Sequence, residues 1–211
     1  EACNNLTIVC DINDVASQLR IETGLTVTVN GTTTMAGGGF LVVNASINFI
    51  GTATCTMVGG LTMNDGGAGQ SQILMSNGAS TLNLQGTLII AAARTTIVGG
   101  SAGSTVNFAS CSAQTIPVSG TQYVYNNIGV SNTNAAGAVL QTNMDATQLN
   151  GDFTITGSGR FDMENKTLTG NALKTFSVSA SGSILEISNT AVSFPSGFGT
   201  ITLTGIVEYS A

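Results

Sequence analysis

One short segment of the chain concentrates side chains that could perform acid–base chemistry. Along residues 160–166, charged and apolar residues alternate, so a β-strand would place the charged side chains on one face: Arg160, Asp162, Glu164 and Lys166. Residues two apart on a strand lie about 7 Å from each other, a spacing compatible with the paired carboxylates of a glycoside hydrolase. Alternating signs are more typical of a solvated strand face with weak ion pairs, and we favour that interpretation.

The composition argues against most other catalytic chemistry. The 211 residues include no His, which removes the Ser–His and Cys–His nucleophile pairs and the usual nitrogen ligand of zinc. The sequence also lacks a glycine-rich loop followed by a helix and a Lys, the pattern that holds phosphate groups. With 5 Lys plus Arg against 11 Asp plus Glu, the formal net charge of -6 excludes a basic nucleic-acid-binding surface. We therefore predict a protein that is not an enzyme, holds no cofactor or metal, and binds no nucleic acid.

Four cysteines could form two disulfides in three connectivities: Cys3, Cys10, Cys55 and Cys111. We favour a Cys3–Cys10 bridge, because a turn at Asn4 and Asn5 would bring these two residues together, although adjacent rungs of a sheet could bring in Cys55 or Cys111 instead. Free thiols packed as small hydrophobic side chains are the alternative. A metal site is disfavoured, because the sequence has neither a CxxC spacing nor a His.

The sequence also bears on location. The longest strongly apolar run, Leu88 to Ala93, is far shorter than the roughly 20 residues of a membrane-spanning helix, so we expect no membrane span. No basic and apolar leader precedes Glu1, so a secreted protein would be present here in processed form. An even number of cysteines is compatible with export, and we predict an extracellular or cell-surface location.

Short strands and tight turns dominate the pattern. Apolar and polar residues alternate with period two in segments such as Gly24–Asn30, Thr81–Leu84, Asp152–Thr156 and Thr200–Thr204. In the last of these, Ile201 and Leu203 are expected to be buried. Turn signals follow closely at Asn30–Gly31, Gly59–Gly60, Asn77–Gly78 and Asn150–Gly151. The sequence therefore predicts an all-β protein.

The uniformity of these strands indicates how they stack. Short strands with Gly or Asn corners and only 2 Pro favour a solenoid, in which each coil stacks on the next. We predict one continuous, single-domain parallel β-helix (β-solenoid) over residues 1–211, with an N-terminal arm at about residues 1–12. At about 20 residues per coil, the chain would form about ten coils. A β-sandwich with terminal strand exchange is the alternative.

Part of the chain resembles a known type of repeat. The segments that carry the resemblance are Gly103–Phe108, Ala113–Pro117, Tyr125–Ile128, Leu149–Phe153 and Phe161–Met163. Together they resemble the β-strand repeat modules of large secreted surface proteins of Bacteroidota and related bacteria. The resemblance covers residues 103–211 and places a module junction near residues 103–117. It implies an extracellular, repetitive β-protein with a structural or adhesive role.

Threonine pairs two residues apart raise the question of a binding surface. Thr26 and Thr28, and Thr54 and Thr56, could align into a flat hydroxyl array that binds ice or glycans. Their irregular spacing along the chain argues against such an array, since Thr is also a common residue on exposed strand faces. Surface glycans are therefore a secondary candidate partner.

The two ends of a solenoid expose backbone groups that lack a neighbour. Charge, Pro or a helix usually blocks such ends, and the segments Leu6–Val9 and Thr200–Tyr209 contain none of these apart from Glu208. We expect both segments to act as pairing strands between copies, through Leu6, Ile8, Val9, Ile201, Leu203, Val207 and Tyr209. The leading hypothesis is a structural subunit of an extracellular bacterial filament or surface layer that forms a head-to-tail homopolymer. A stalk segment of a larger adhesin is the alternative, and a carbohydrate-active β-helix enzyme is least favoured.

Overall fold

The structure, a computed structural model, describes residues 2–9, 17–37, 44–64, 69–90, 95–99, 103–119, 122–189 and 192–210. The chain divides into two compact units, residues 1–104 and 105–211, and each is built from short strands. The described part contains no helix that is both long and apolar enough to cross a membrane.

The strands of the first unit occur in sets of three, and each set forms one coil. In chain order they are β1 (Ala2–Cys3), β2 (Leu6–Val9), β3 (Ser17–Ile21), β4 (Thr26–Val29), β5 (Thr33–Ala36), β6 (Ala45–Ile50), β7 (Thr54–Met57), β8 (Leu61–Asn64), β9 (Ser71–Asn77), β10 (Thr81–Leu84), β11 (Leu88–Ile90) and β12 (Thr95–Val98). Every third strand pairs in parallel, which gives the three sheets β1-β4-β7-β10, β2-β5-β8-β11 and β3-β6-β9-β12.

Alternation of apolar and polar residues positions these strands around a core. Val29, Met57 and Leu84 are in register on successive coils and are essentially inaccessible to solvent. Thr26 pairs with Thr54 and Thr54 with Thr81, so each of these intervals is one coil. The sequence-based estimate of about 20 residues per coil was too low for these coils, because each has three strands and three corners.

The second unit has two regular walls. Its strands are β13 (Thr105–Phe108), β14 (Gln114–Ile116), β15 (Tyr123–Val124), β16 (Asn127–Val130), β17 (Ala138–Leu140), β18 (Phe153–Ile155), β19 (Arg160–Asp162), β20 (Thr175–Val178), β21 (Ile184–Ile187), β22 (Thr200–Leu203) and β23 (Ile206–Tyr209). Parallel pairing joins β13-β16-β18-β20-β22 in one sheet and β14-β17-β19-β21-β23 in another. The third side is held by the isolated bridges Tyr125–Leu149, Met144–Leu168 and Thr169–Ser196.

Aromatic side chains fill the core of the second unit. Phe153 and Phe176 are in register on β18 and β20 and stack with ring centroids 5.7 Å apart. The ring of Phe161, from the neighbouring wall, lies 4.7 Å from that of Phe153. All three side chains are fully buried, as period-two alternation predicts for Phe153. Ile201 continues the same column on β22.

The prediction of a parallel β-helix is confirmed. The described strand pairs are parallel, whereas a β-sandwich would need antiparallel sheets, so the alternative fold is wrong. Within Thr200–Tyr209, the expected single strand is also wrong, because the chain turns a corner at Thr204 and Gly205 and continues on the other wall as β23.

Candidate assembly interface

The last described coil leaves core positions uncovered. Ile201 and Leu203 lie in register with the buried residues Phe176 and Val178, so their side chains point inward. They are nevertheless 45% and 48% exposed, because no described strand lies on the far side of β22. The expectation that β22 buries these two residues is therefore wrong within a single chain, although their inward orientation is as predicted.

The neighbouring strand β23 presents a similar surface. Val207 and Tyr209 are in register with the buried residues Leu185 and Ile187. Val207 is half-buried, and Tyr209 is 72% exposed. Together with β22, this strand forms an apolar rung at the edge of two sheets, which we call the C-terminal rung (residues 200–209).

The backbone of the C-terminal rung also has an unpaired edge. The N–H groups of Thr200 and Thr204 donate to carbonyls of the preceding coil, at 3.2 and 2.8 Å. Successive residues of a parallel strand direct their backbone groups to opposite sides. The N–H and C=O groups of Ile201 and Leu203 therefore face away from β20, where another strand could pair with them.

An edge of the first unit is formed by β1 and β2, which we call the N-terminal rung (residues 2–9). The carbonyl of Cys3 accepts a hydrogen bond from the N–H of Asn30 at 2.8 Å, and the N–H of Leu6 donates to the carbonyl of Thr32 at 3.1 Å. The backbone groups of Ala2 and Thr7 consequently face away from the next coil. Among the predicted interface residues of this rung, Ile8 is buried and Leu6 is half-buried, whereas the Val9 side chain lies outside the described part.

The strand β1 is short and leaves a groove beside it. It pairs only with Thr28 and Val29 of β4. The groove is lined by Gly24–Val27, has a volume of about 360 Å³, and leaves Leu25 54% exposed. The N-terminal edge therefore also presents apolar surface.

Charged residues lie on the outer face of the second unit, near the C-terminal rung. Arg160 contacts Glu186 at 2.6 Å and Glu208 at 2.9 Å through Nη2, and its Nε donates to Glu186 at 3.0 Å. Asp162, Glu186 and Glu208 are in register on β19, β21 and β23, so they form one column of carboxylates beside the guanidinium. We call these four residues the charge ladder.

The charge ladder differs from the face expected from sequence. Arg160 and Asp162 share a strand face as predicted, but β19 ends at Asp162 and Glu164 has a positive φ of 46° in the turn that follows. Lys166 lies 3.9 Å from Glu164 and belongs to this turn. Sequence reasoning missed Glu186 and Glu208, because they lie 26 and 48 residues from Arg160 and meet it only through the coil repeat.

The electrostatics of the ladder suit a structural role. Partial burial opposes the positive charge of Arg160, but the hydrogen bonds and charges of Glu186 and Glu208 prevail and raise the pKa of Arg160 above its ordinary value. Arg160 contacts both Glu186 and Glu208 through Nη2, so one guanidinium bridges two carboxylates on neighbouring strands. The described residues contain no group of three or more His, Cys, Asp or Glu side chains that could hold a metal ion.

The described cysteines are free thiols, so the structure does not contain the predicted bridges between them. Cys3 and Cys111 are exposed, and Cys55 is buried. Burial, with a smaller effect of Cys3, raises the pKa of Cys55 to about 12, so this thiol packs as a small hydrophobic side chain. Cys10, and with it the favoured Cys3–Cys10 bridge, lies outside the described residues.

The threonine pairs of the first unit do align. Thr26, Thr54 and Thr81 form one outward column, and Thr28 and Thr56 form part of a second. Their spacing along the chain looked irregular because the expected coil was shorter than the interval from Thr26 to Thr54 that the structure shows.

No protein-family profile, curated protein sequence or solved structure matches this chain.

Proposed function

We propose that this protein is a structural subunit of an extracellular filament or surface layer, without catalytic activity, that assembles head to tail. The observation that carries the proposal is the exposure of Ile201 and Leu203, inward-pointing residues of β22 at the open edge of a parallel sheet. A second copy that placed its N-terminal rung on this edge would complete the core and the hydrogen-bond ladder together.

The direction of the strands determines whether such an assembly closes or extends. A strand that extends a parallel sheet runs in the same direction as the strand at its edge. The C-terminal rung of one copy would therefore pair in parallel with the N-terminal rung of another, and the two edges in contact are different. This contact is heterologous, and a heterologous contact that does not close generates a fibre. Each new backbone hydrogen bond would contribute about 0.5 to 1.5 kcal/mol.

Apolar burial supplies a second contribution. Complete burial of a Leu or Ile side chain contributes about 1.5 to 3 kcal/mol, so covering the exposed half of Ile201 and of Leu203 contributes about 1 kcal/mol each. Tyr209, which is 72% exposed, adds a larger apolar surface. These contributions oppose the entropy cost of association.

A concentration series of the purified chain tests the proposal. We expect negative-stain electron microscopy and light scattering to show filaments that lengthen with protein concentration. Leu203→Asp should abolish them, because it places a carboxylate in the junction core. Leu173→Asp is the matched control, since Leu173 is 89% exposed on a turn outside both rungs, and this variant should assemble like the original chain.

Two results would count against self-assembly. Monodisperse monomers at every concentration would overturn the filament and leave the adhesin stalk, in which further coils of the same polypeptide cover these edges. Equal loss of assembly in Leu203→Asp and Leu173→Asp would show that the C-terminal rung is not the contact.

A further inference from the structure

The geometry points to one register for the junction between copies: Leu203 of one copy lies against Cys3 of the next, Val207 against Leu6, and Tyr209 against Ile8. This inference rests on the proposed function and specifies the partner surface as the N-terminal rung of a second copy. It is carried by the shape of the C-terminal rung, by the corner that divides it and by the direction of its backbone groups.

The C-terminal rung has the shape of a rung of the first unit. Residues 200–205 read Thr-Ile-Thr-Leu-Thr-Gly, and residues 26–31 read Thr-Val-Thr-Val-Asn-Gly. The inward residues Leu203 and Val207 have the same separation as Val29 and Thr33, which are inward residues of β4 and β5. The C-terminal rung therefore spaces its inward side chains along the chain as β4 and β5 do.

The corner that divides this rung supports the same equivalence. In the first unit, the corners after β4, β7 and β10 carry a glycine two residues after the last inward residue, at Gly31, Gly59 and Gly86. Gly205 occupies this position after Leu203. The preceding corners of the second unit are longer, as at residues 109–113 and 131–137. A Cβ on Gly59 would lie 2.5 Å from the backbone of Gly31, so these short corners stack directly on one another.

The N-terminal rung already occupies this set of columns. Within one chain, Cys3 is in register with Val29, Leu6 with Thr33, and Ile8 with Met35. If Leu203, Val207 and Tyr209 occupy the columns of Val29, Thr33 and Met35, they meet Cys3, Leu6 and Ile8 of the next copy. Each contact then joins two inward side chains.

The direction of the backbone groups fits this register. In a parallel pair, a residue that faces its neighbour bonds to the two residues that flank its partner. Leu203 faces outward, so its N–H would donate to the carbonyl of Ala2 of the next copy, and its carbonyl would accept from the N–H of Asn4. The carbonyl of Asn4 itself accepts from the N–H of Gly31 within its own chain. A shift by one residue that set Leu203 opposite Asn4 would direct the N–H of Leu203 to the carbonyl of Cys3, which already accepts from the N–H of Asn30 at 2.8 Å.

The outward-facing side chains are also compatible with this register. In this register Glu208 lies against Thr7 of the next copy, so the carboxylate column meets a hydroxyl rather than another carboxylate. Ile201 takes the column of Val27, which lines the groove beside β1. At Leu203, Val207 and Tyr209 the junction thus joins inward side chains, and at Glu208 it avoids repulsion between like charges.

A cysteine cross-link tests the register. We would introduce Leu203→Cys into a chain that carries Cys10→Ser and Cys111→Ser but retains Cys3. Neighbouring strands lie about 4.8 Å apart, and the Cα atoms of a disulfide are about 4.4 to 6.8 Å apart, so the two thiols can join. Mild oxidation of assembled protein should give a ladder of covalent oligomers on a non-reducing gel, with the Cys3 peptide in the cross-link by mass spectrometry.

The matched control is Thr202→Cys in the same background, because residue 202 points to the opposite face of the strand and should not form the ladder. Adding Cys3→Ser to Leu203→Cys should also remove it. A second pair, Val207→Cys with Leu6→Cys in the Cys3→Ser background, tests the register on the other wall if Leu203→Cys itself hinders assembly.

The outcomes separate the register from the proposed function. Filaments that show neither cross-link would leave self-assembly intact and overturn the register. Cross-linked dimers that persist with Cys3→Ser would show that two C-terminal rungs meet each other, which overturns the head-to-tail junction. Absence of both filaments and cross-links in every variant and in the original chain would overturn the proposed function and the register together.

Discussion

Removal of the guanidinium from the charge ladder should destabilise the second unit. Arg160→Gln leaves Asp162, Glu186 and Glu208 in one column, on strands about 4.8 Å apart, without a compensating charge. The side chains of Arg160 and Glu186 are 19% and 16% exposed, so their contact falls in the range of about 1.5 to 3 kcal/mol for hydrogen bonds to charged groups. Glu208 is 42% exposed, and solvent screening reduces its share to less than about 1 kcal/mol. We expect a total loss of about 2 kcal/mol at pH 7.

Tyrosine fluorescence during urea unfolding reports on the second unit, to which Arg160 belongs. The chain has no Trp, and its 3 Tyr residues, Tyr123, Tyr125 and Tyr209, all belong to the second unit. With a denaturant slope of about 2 kcal/mol per molar urea, a loss of about 2 kcal/mol lowers the midpoint by about 1 M.

Two further variants make the test decisive. Arg20→Gln is the control, because Arg20 and Glu22 form a pair whose side chains are 58% and 53% exposed, and its loss should leave the midpoint nearly unchanged. Adding Glu186→Gln to Arg160→Gln should recover part of the lost stability, since it removes the charge left without a partner. A midpoint shift below about 0.2 M would refute the reasoning.

Three further predictions concern the rungs, the corners and the core. Leu203→Ala should raise the protein concentration needed for assembly about fivefold in sedimentation assays, because each junction loses about 1 kcal/mol of apolar burial; an unchanged threshold would contradict its place in the junction. Gly59→Ala should lower the midpoint of thermal unfolding followed by circular dichroism, since its Cβ would clash with the preceding corner, whereas Val58→Ala on the same corner should have a much smaller effect. Cys55 should resist a thiol reagent at pH 8 while Cys111 reacts, and both should react in denaturant; rapid native labelling of Cys55 would show that its pKa is not raised.

Local patterns were sufficient to predict the strands and the direction in which their side chains point. Alternation identifies Phe153 and Ile155 as core residues, and both are fully buried. The same alternation predicts that Ile201 points inward, but it carries no information on whether another strand covers that residue. Burial at the edge of a sheet depends on the neighbouring rung, which a local pattern does not specify.

Contacts between coils were the part that sequence reasoning could not provide. Arg160 and Glu186 meet because Arg160 lies on β19 and Glu186 on β21, and this pairing requires the length of the coil. A shorter assumed coil gives the wrong partners. The glycine corners at Gly31 and Gly59 contained the missing information, since the interval between them equals the interval between the paired residues Thr26 and Thr54.

Parallel pairing makes the two edges chemically different, with consequences for any polymer built through them. One tip would display Ile201, Leu203 and Tyr209, and the other would display the backbone of Ala2 and Thr7. Such a polymer has a direction, and its two tips would add subunits at unequal rates. A single subunit with a blocked C-terminal rung would arrest growth at one tip and leave the other active, so a cell could confine growth of the fibre to one tip by modifying one end.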